Sequence, residues 1–261
     1  MHTAAVTRLP QRPANPSLRL ATEAPAAQPR AARCSTCSFR ELCLPVGLCA
    51  EDLERVENVV HARRRIRRGE VLFNAGDTFA SLYAIRTGFF KASVLDDEGR
   101  EQVTGFFMGG EMLGLEGLGA GNYNGTVTAL EDSEVCIMPF ALIEEIAQEV
   151  RPLQRHLHAV LAREIVRDHG VMMLLGSMRA EERMAVFLLN LSQRFTARGY
   201  SPSEFNLRMT REEIGSYLGL KLETVSRAFS RFQEAGLISV QQKHICIVDI
   251  AGLKKIVGQA G

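Results

Sequence analysis

The chain of 261 residues sets 31 lysines and arginines against 30 aspartates and glutamates, and its formal charge of +1 leaves any nucleic-acid surface to be local. Its length gives room for one large or two modest domains that bury their own cores, so the six cysteines are not needed as staples. No apolar run is long enough to span a bilayer, and residues 1 to 33 lack the apolar stretch of a secretory signal. The expectation is a soluble cytoplasmic protein with no membrane partner, whose cysteines are reduced thiols, metal ligands or redox sensors.

Residues 1–33 hold five of the nine prolines, five arginines and a single acid, Glu23, without an apolar period. They read as a disordered tail, although the same Arg-rich, acid-poor composition also fits an organelle transit peptide. Residues 34–50 form a cysteine-rich loop carrying Cys34, Cys37, Cys43 and Cys49. A short helix is expected from about Glu51 to Arg67. Within 51–150 glycine then takes over, twelve of the twenty-two lying between Gly69 and Gly125. Between them run pieces such as "EVLFNAG", "SLYAIRTGFFKASVLD" and "GTVTALEDSEVCIM". Short alternating segments at this spacing predict antiparallel strands joined by tight turns, a small barrel or roll.

The period changes at residues 151–178, where Leu157, Leu161, Ile165, Asp168, Met172 and Leu175 mark the seam of a helix that packs along a partner copy. In a parallel symmetric pair Asp168 approaches its own copy, and two carboxylates in a partly dehydrated seam oppose dimerisation. The alternative is that Asp168 turns outward and pairs with Arg167. A second helix runs from about Arg179 to Arg198 and is stopped by Gly199 and Pro202.

The remainder of 179–261 reads as a winged helix-turn-helix. Thr210 and Glu213 have capping-box spacing, Gly219 supplies the turn, and a second helix spans about Leu222 to Ala235. Leu222, Val225, Phe229 and Phe232 fall on one side of it, while Glu223, Ser226, Arg227 and Ser230 fall on the other. Arginine can donate a forked pair of bonds to guanine and glutamate can accept from cytosine, so Glu223, Ser226 and Arg227 are candidate base readers on double-stranded DNA. The bland reading of the same stripe is a solvated face.

Roll, long helix and the "ETVSR" helix together resemble the CRP/FNR superfamily of bacterial transcription regulators over about residues 34–250. The resemblance implies an α+β protein that is not an enzyme: an N-terminal antiparallel β-roll of the cyclic-nucleotide-binding type, a dimerisation helix and the C-terminal winged helix-turn-helix. The cyclic-AMP branch holds its nucleotide phosphate with an arginine-serine pair, but this chain has "GNYNGTV" there and no lysine or arginine between Arg100 and Arg151, so no cyclic nucleotide is expected. Leu222 and Ser226 also depart from that branch and match the FNR branch.

Cys34, Cys37 and Cys43 have the C-x2-C-x5-C spacing that resembles the triad of oxygen-sensing FNR proteins, which hold a 4Fe–4S cluster with a distant fourth cysteine, here Cys136. Zinc is an alternative taker of four thiolates, and a thiol-redox regulator without iron is another. Cys49 and Cys246 are read as bystanders, Cys246 as a packed small hydrophobe. The resemblance further implies a homodimer that binds a palindrome like TTGAT-N4-ATCAA without oxygen and contacts RNA polymerase. In that picture Ile165 and its apolar neighbours overcome the Asp168 repulsion when the cluster is bound.

Overall fold

The computed structural model describes residues 34–44, 48–60 and 62–258, so the tail expected over 1–33 lies outside the described residues. Two short helices come first, α1 (Arg40–Cys43) and α2 (Ala50–Val59). The second is shorter than the sequence pattern predicts. "ARRRI", expected to continue it, is instead the strand β1 (Ala62–Ile66). The reason is tertiary: β1 fills the open side of a central strand and buries Ile66 to 1% exposure, while an arginine run carries no helical period of its own to resist.

The roll continues through β2 (Val71–Phe73), β3 (Ser81–Thr87), β4 (Phe89–Leu95), β5 (Glu101–Met108), β6 (Met112–Leu113), the short α3 (Gly117–Ala120), β7 (Thr126–Ala129) and β8 (Ser133–Pro139). Its two antiparallel sheets have strand orders β1-β8-β3-β6 and β2-β7-β4-β5. Gly88, at φ +98°, makes the turn between β3 and β4, where an added Cβ would strike the Ser133 side chain.

Between the sheets lie Phe73, Ile85, Phe90, Leu113, Tyr123, Val127 and Val135. Tyr123, from the "GNYNGTV" segment, stacks on Phe73 with ring centroids 3.9 Å apart and donates its hydroxyl to Ser81 O at 2.7 Å. Strand alternation then divides β8: Val135 points into this interior, whereas Cys136 and Met138 belong to a second apolar layer on the outer face, with Leu82, Ala84 and Ile143. That layer is covered by α4 (Phe140–Glu149) and the start of α5 (Arg151–Ser177).

After α5 come α6 (Ala180–Thr196), β9 (Glu204–Asn206), α7 (Arg211–Leu218), α8 (Leu222–Glu234), β10 (Ile238–Gln241), β11 (His244–Ile247) and α9 (Ile250–Gly258). The wing is a three-stranded sheet in the order β10-β11-β9. Thr210 Oγ1 accepts from Glu213 N at 3.1 Å and Glu213 accepts from Thr210 N at 2.7 Å, the reciprocal box that opens α7. Gly219, at φ +62°, closes it. Met184, Leu188, Ile214, Val225, Phe229 and Phe232 form a core that continues into Phe89, Val103 and Phe106 of the roll.

Polar contacts lock the same junction. Val103 N donates to Ser216 Oγ at 2.8 Å, and Lys91 reaches both Glu101 and Glu213, at 2.9 and 3.1 Å. Arg194 and Arg198 each bind Glu111 at 2.6 Å. Burial pushes the Glu111 carboxyl up, but the two guanidiniums outweigh it and hold its pKa below the usual value.

Candidate metal centre and nucleic-acid interface

Cys34, Cys37, Cys43 and Cys136 line one cavity, closed by Phe39, Arg40, Leu44, Val60, Arg63, Ala84, Arg86 and Met138. Cys136 is fixed by β8, hydrogen-bonded on both sides, with Arg63 opposite it on β1 and Ala84 opposite it on β3. The other three come from the segment around α1. Leu42 and Phe39 seat that segment on the turn after β5, where side chains at Gly109 or Gly110 would collide with them. Two hydrogen bonds tether it further: Ser35 N donates to Glu57 Oε1 at 2.5 Å, and His156 Nε2 lies 3.1 Å from Cys43 O. A carbonyl oxygen only accepts, so His156 carries its proton at Nε2 in that contact.

Burial pushes the Cys34 thiol up to about 12, with Cys136, Glu57 and Cys37 adding to the shift and Arg63 opposing it. Burial likewise raises Cys136 to about 11 against the pull of Arg63 and Arg86. Cys43 is raised too, first by burial and then by the other three sulfurs. The sulfurs therefore feel one another, and burial favours the neutral thiol at Cys34, Cys43 and Cys136. Among the described residues no three histidine, cysteine, aspartate or glutamate side chains stand together at metal-holding distance.

The donor set nonetheless suits a group that binds four thiolates. Arg86 is engaged by Glu134, but among the described residues the buried Nε of Arg63 has no acceptor, an unsatisfied donor beside the sulfurs. Thiolates or an anionic cluster in this cavity would satisfy it, whereas neutral thiols accept only weakly. The remaining cysteines lie elsewhere. Cys49 is exposed, and its Sγ caps α2 by accepting from Asp52 N at 3.4 Å. Cys246, read as packed, stays partly exposed because alternation sends it to the face opposite the buried Ile245 and Ile247.

On α5 the expected seam divides. Leu157, Leu161 and Leu175 are half-buried against their own chain, while Ile165, Asp168 and Met172 are exposed, Ile165 at 55%. Arg167 is occupied elsewhere, pairing with Glu164 and stacking 4.3 Å from the Phe107 ring centre, and among the described residues no ion pair claims Asp168. On α8 the side opposite Val225, Phe229 and Phe232 presents Glu223, Arg227 and Ser230 to solvent. Ser226 is half-buried and accepts from Arg211 Nη1 at 3.2 Å. Leu222, placed on the apolar side by its period, is 47% exposed because it stands at the very start of the helix.

Sequence reasoning missed three contributors. Arg63 was hidden among its neighbours in "ARRRIRR", and only its place opposite Cys136 across two strands would have singled it out. His156 carried no metal spacing and acts through a main-chain oxygen. Cys49 had a legible signal, since a small side chain three residues before Asp52 opens a helix.

A β-roll, a long helix with an exposed apolar stripe and a winged helix-turn-helix with a free polar face define a DNA-binding transcription regulator. The "Crp-like helix-turn-helix domain" model matches residues 182–256, and the "Cyclic nucleotide-binding domain" model matches residues 63–150. "Transcriptional regulatory protein btr" of Bordetella pertussis is 44% identical over 231 residues, which cover 88% of this chain and 96% of the relative. "Fumarate and nitrate reduction regulatory protein" of Escherichia coli K12 is 40% identical over 228 residues, 87% of this chain and 91% of the relative. The solved structure of FixK2 from Bradyrhizobium japonicum superposes with a TM-score of 0.69 at 28% identity, covering 75% of this chain and 96% of that one. The chain thus belongs to the CRP/FNR family of transcription regulators, in its FNR-type branch, and is not an enzyme.

Proposed function

We propose that this protein is an oxygen-responsive regulator in which Cys34, Cys37, Cys43 and Cys136 hold a 4Fe–4S cluster. The observation that carries the reading is the convergence of these four cysteines on one cavity with the unpaired Nε of Arg63, while Cys49 and Cys246 lie outside it. When bound, the cluster would supply an oxygen-labile bond between the N-terminal segment and the roll. Cys136 would provide the ligand fixed in the sheet, and the segment around α1 would provide the other three. Arg63 and Arg86 favour the thiolate form of Cys136 and offset the charge the four sulfurs would gather.

The proposed division is a sensory roll over 51–150, a dimerisation helix over 151–178 and a DNA reader over 179–261. Ile165, Val166 and Met172 offer exposed apolar surface for a second copy of the chain, opposed by Asp168. In the homodimer each α8 would enter one half of a palindrome like TTGAT-N4-ATCAA, the halves about 34 Å apart, with Glu223, Ser226 and Arg227 toward the bases. Contact with RNA polymerase and a cytoplasmic setting complete the proposal.

The test is the visible spectrum and metal content of protein purified without oxygen. A brown chromophore with about four irons per chain, bleached in air together with site-specific DNA binding, is the expected result. A colourless protein carrying zinc would replace the reading with a zinc-stabilised regulator. A colourless, metal-free protein whose DNA binding follows thiol oxidation would replace it with a thiol switch.

A further inference from the structure

We infer that His156 is the positioning residue through which the cysteine segment acts on the long helix. This rests on the cysteine cavity being the sensory site. Cys43 closes α1, and a carbonyl at a helix C-terminus has no partner within its own helix. The oxygen of Cys43 finds one 113 positions along the chain, on the second turn of α5.

The apolar contacts around that bond hold the segment without aiming it. Leu157 and Val160 of α5 share an outer-face layer with Cys34, Cys43 and Cys136, and contacts of this kind tolerate sliding. The bond from His156 is directional, so it fixes where the backbone of Cys43 sits along α5. On the opposite side Phe39 and Leu42 are pressed against Gly109 and Gly110 of the roll. The segment is therefore a wedge between roll and helix, with His156 as its fastening to the helix. His158 and His169, on the same helix, are both exposed.

The consequence runs along α5. Ile165 lies nine residues beyond His156, roughly 14 Å at the rise of an α-helix, so a shift imposed at Cys43 is carried by continuous helix to the exposed stripe. When the four cysteines are drawn together, Cys43 moves relative to Cys136, and His156 makes α5 follow. Without that donor the same rearrangement of sulfurs would leave the stripe where it was.

The experiment compares full-length wild type, His156→Phe and His156→Gln, all prepared without oxygen. Iron and visible absorbance per chain report loading, and sedimentation reports the dimer dissociation constant of the loaded and cluster-free forms. All three proteins should load equally. Loading should tighten wild-type dimerisation, the tightening should shrink by about three- to tenfold in His156→Phe, and His156→Gln should restore it because the amide N–H replaces Nε2–H. Equal tightening in His156→Phe, failure of Gln to rescue, or loss of iron from His156→Phe would each overturn the inference. Colourless wild type would instead sink the cluster reading. The tether is then read on protein whose cysteines are blocked with N-ethylmaleimide: blocking should shift dimerisation of wild type and not of His156→Phe, and equal responses would overturn the inference without any metal.

Discussion

The cysteine cavity and the winged helix-turn-helix are built on opposite terms. The reader is finished: α7 is capped at both ends, its core residues Ile214, Val225 and Phe229 are sealed, and its charged face is left to water. The cavity is unfinished. Burial raises the thiol pKa of Cys34, Cys43 and Cys136, Arg63 keeps a buried donor without an acceptor among the described residues, and the segment carrying three of the four cysteines is tethered by Ser35 to Glu57 and by His156 to Cys43. A region with unsatisfied groups gains most from a ligand, and a region already satisfied changes least, so the signal should enter at the cavity and arrive at the reader by movement of a rigid body.

Breaking the unfinished side should have the largest effect. Serine at Cys34, Cys37, Cys43 or Cys136 is expected to abolish iron uptake and DNA binding without oxygen, because each removes one of the four proposed ligands, while serine at Cys49 or Cys246 leaves both intact. Iron content and absorbance of the six variants check this, and full iron in Cys136→Ser would remove the fixed ligand from the scheme. Cys49→Ser should preserve the cap on α2, since serine is a better N-cap than cysteine's weakly accepting sulfur.

The next test lies between the two regions. Asp168→Ala should produce a dimer able to bind DNA even without a cluster, because two carboxylates meeting in a seam repel by about 1–4 kcal/mol, a tenfold or larger effect on association. Sedimentation of cluster-free wild type and variant at matched concentration decides it. On the reader, Arg227→Ala and Glu223→Ala should each cost about 1–3 kcal/mol on the specific site and little on random DNA. Equal losses on both would show side chains that only position the helix.

The smallest effect concerns the junction. Glu111 has a folded pKa below its ordinary value of 4.5, so the stability it contributes is present above that pH and is lost as pH falls through the folded value. Burial weakens the hold of Arg198 on its proton as well, but a guanidinium stays charged, leaving the carboxyl to set the dependence. Glu111→Gln should flatten the acid limb of the stability profile, as followed by denaturant midpoints between about pH 6 and pH 3.

The reader was almost fully legible in sequence, because capping, turn and amphipathic face are local properties of Thr210, Glu213, Gly219 and the α8 period. So were the four cysteines, though as a spacing and a resemblance rather than a cavity. What escaped was whatever depends on partners distant in the chain. Ala62–Ile66 became a strand because β8 had an open side, Arg63 gained meaning only opposite Cys136, and His156 only beneath Cys43. Leu222 obeyed its helical period yet emerged into solvent, since a period assigns a direction but not a neighbour at a helix end.

Tyr123 and Phe73 give the roll a property of their own. To lodge a guest between its sheets the protein would have to evict a ring that is 3% exposed and break the bond from its hydroxyl to Ser81. The space between the sheets is filled by the roll's own side chains. One position along β8, from Val135 to Cys136, turns the chain's attention from that closed interior to the outer wall.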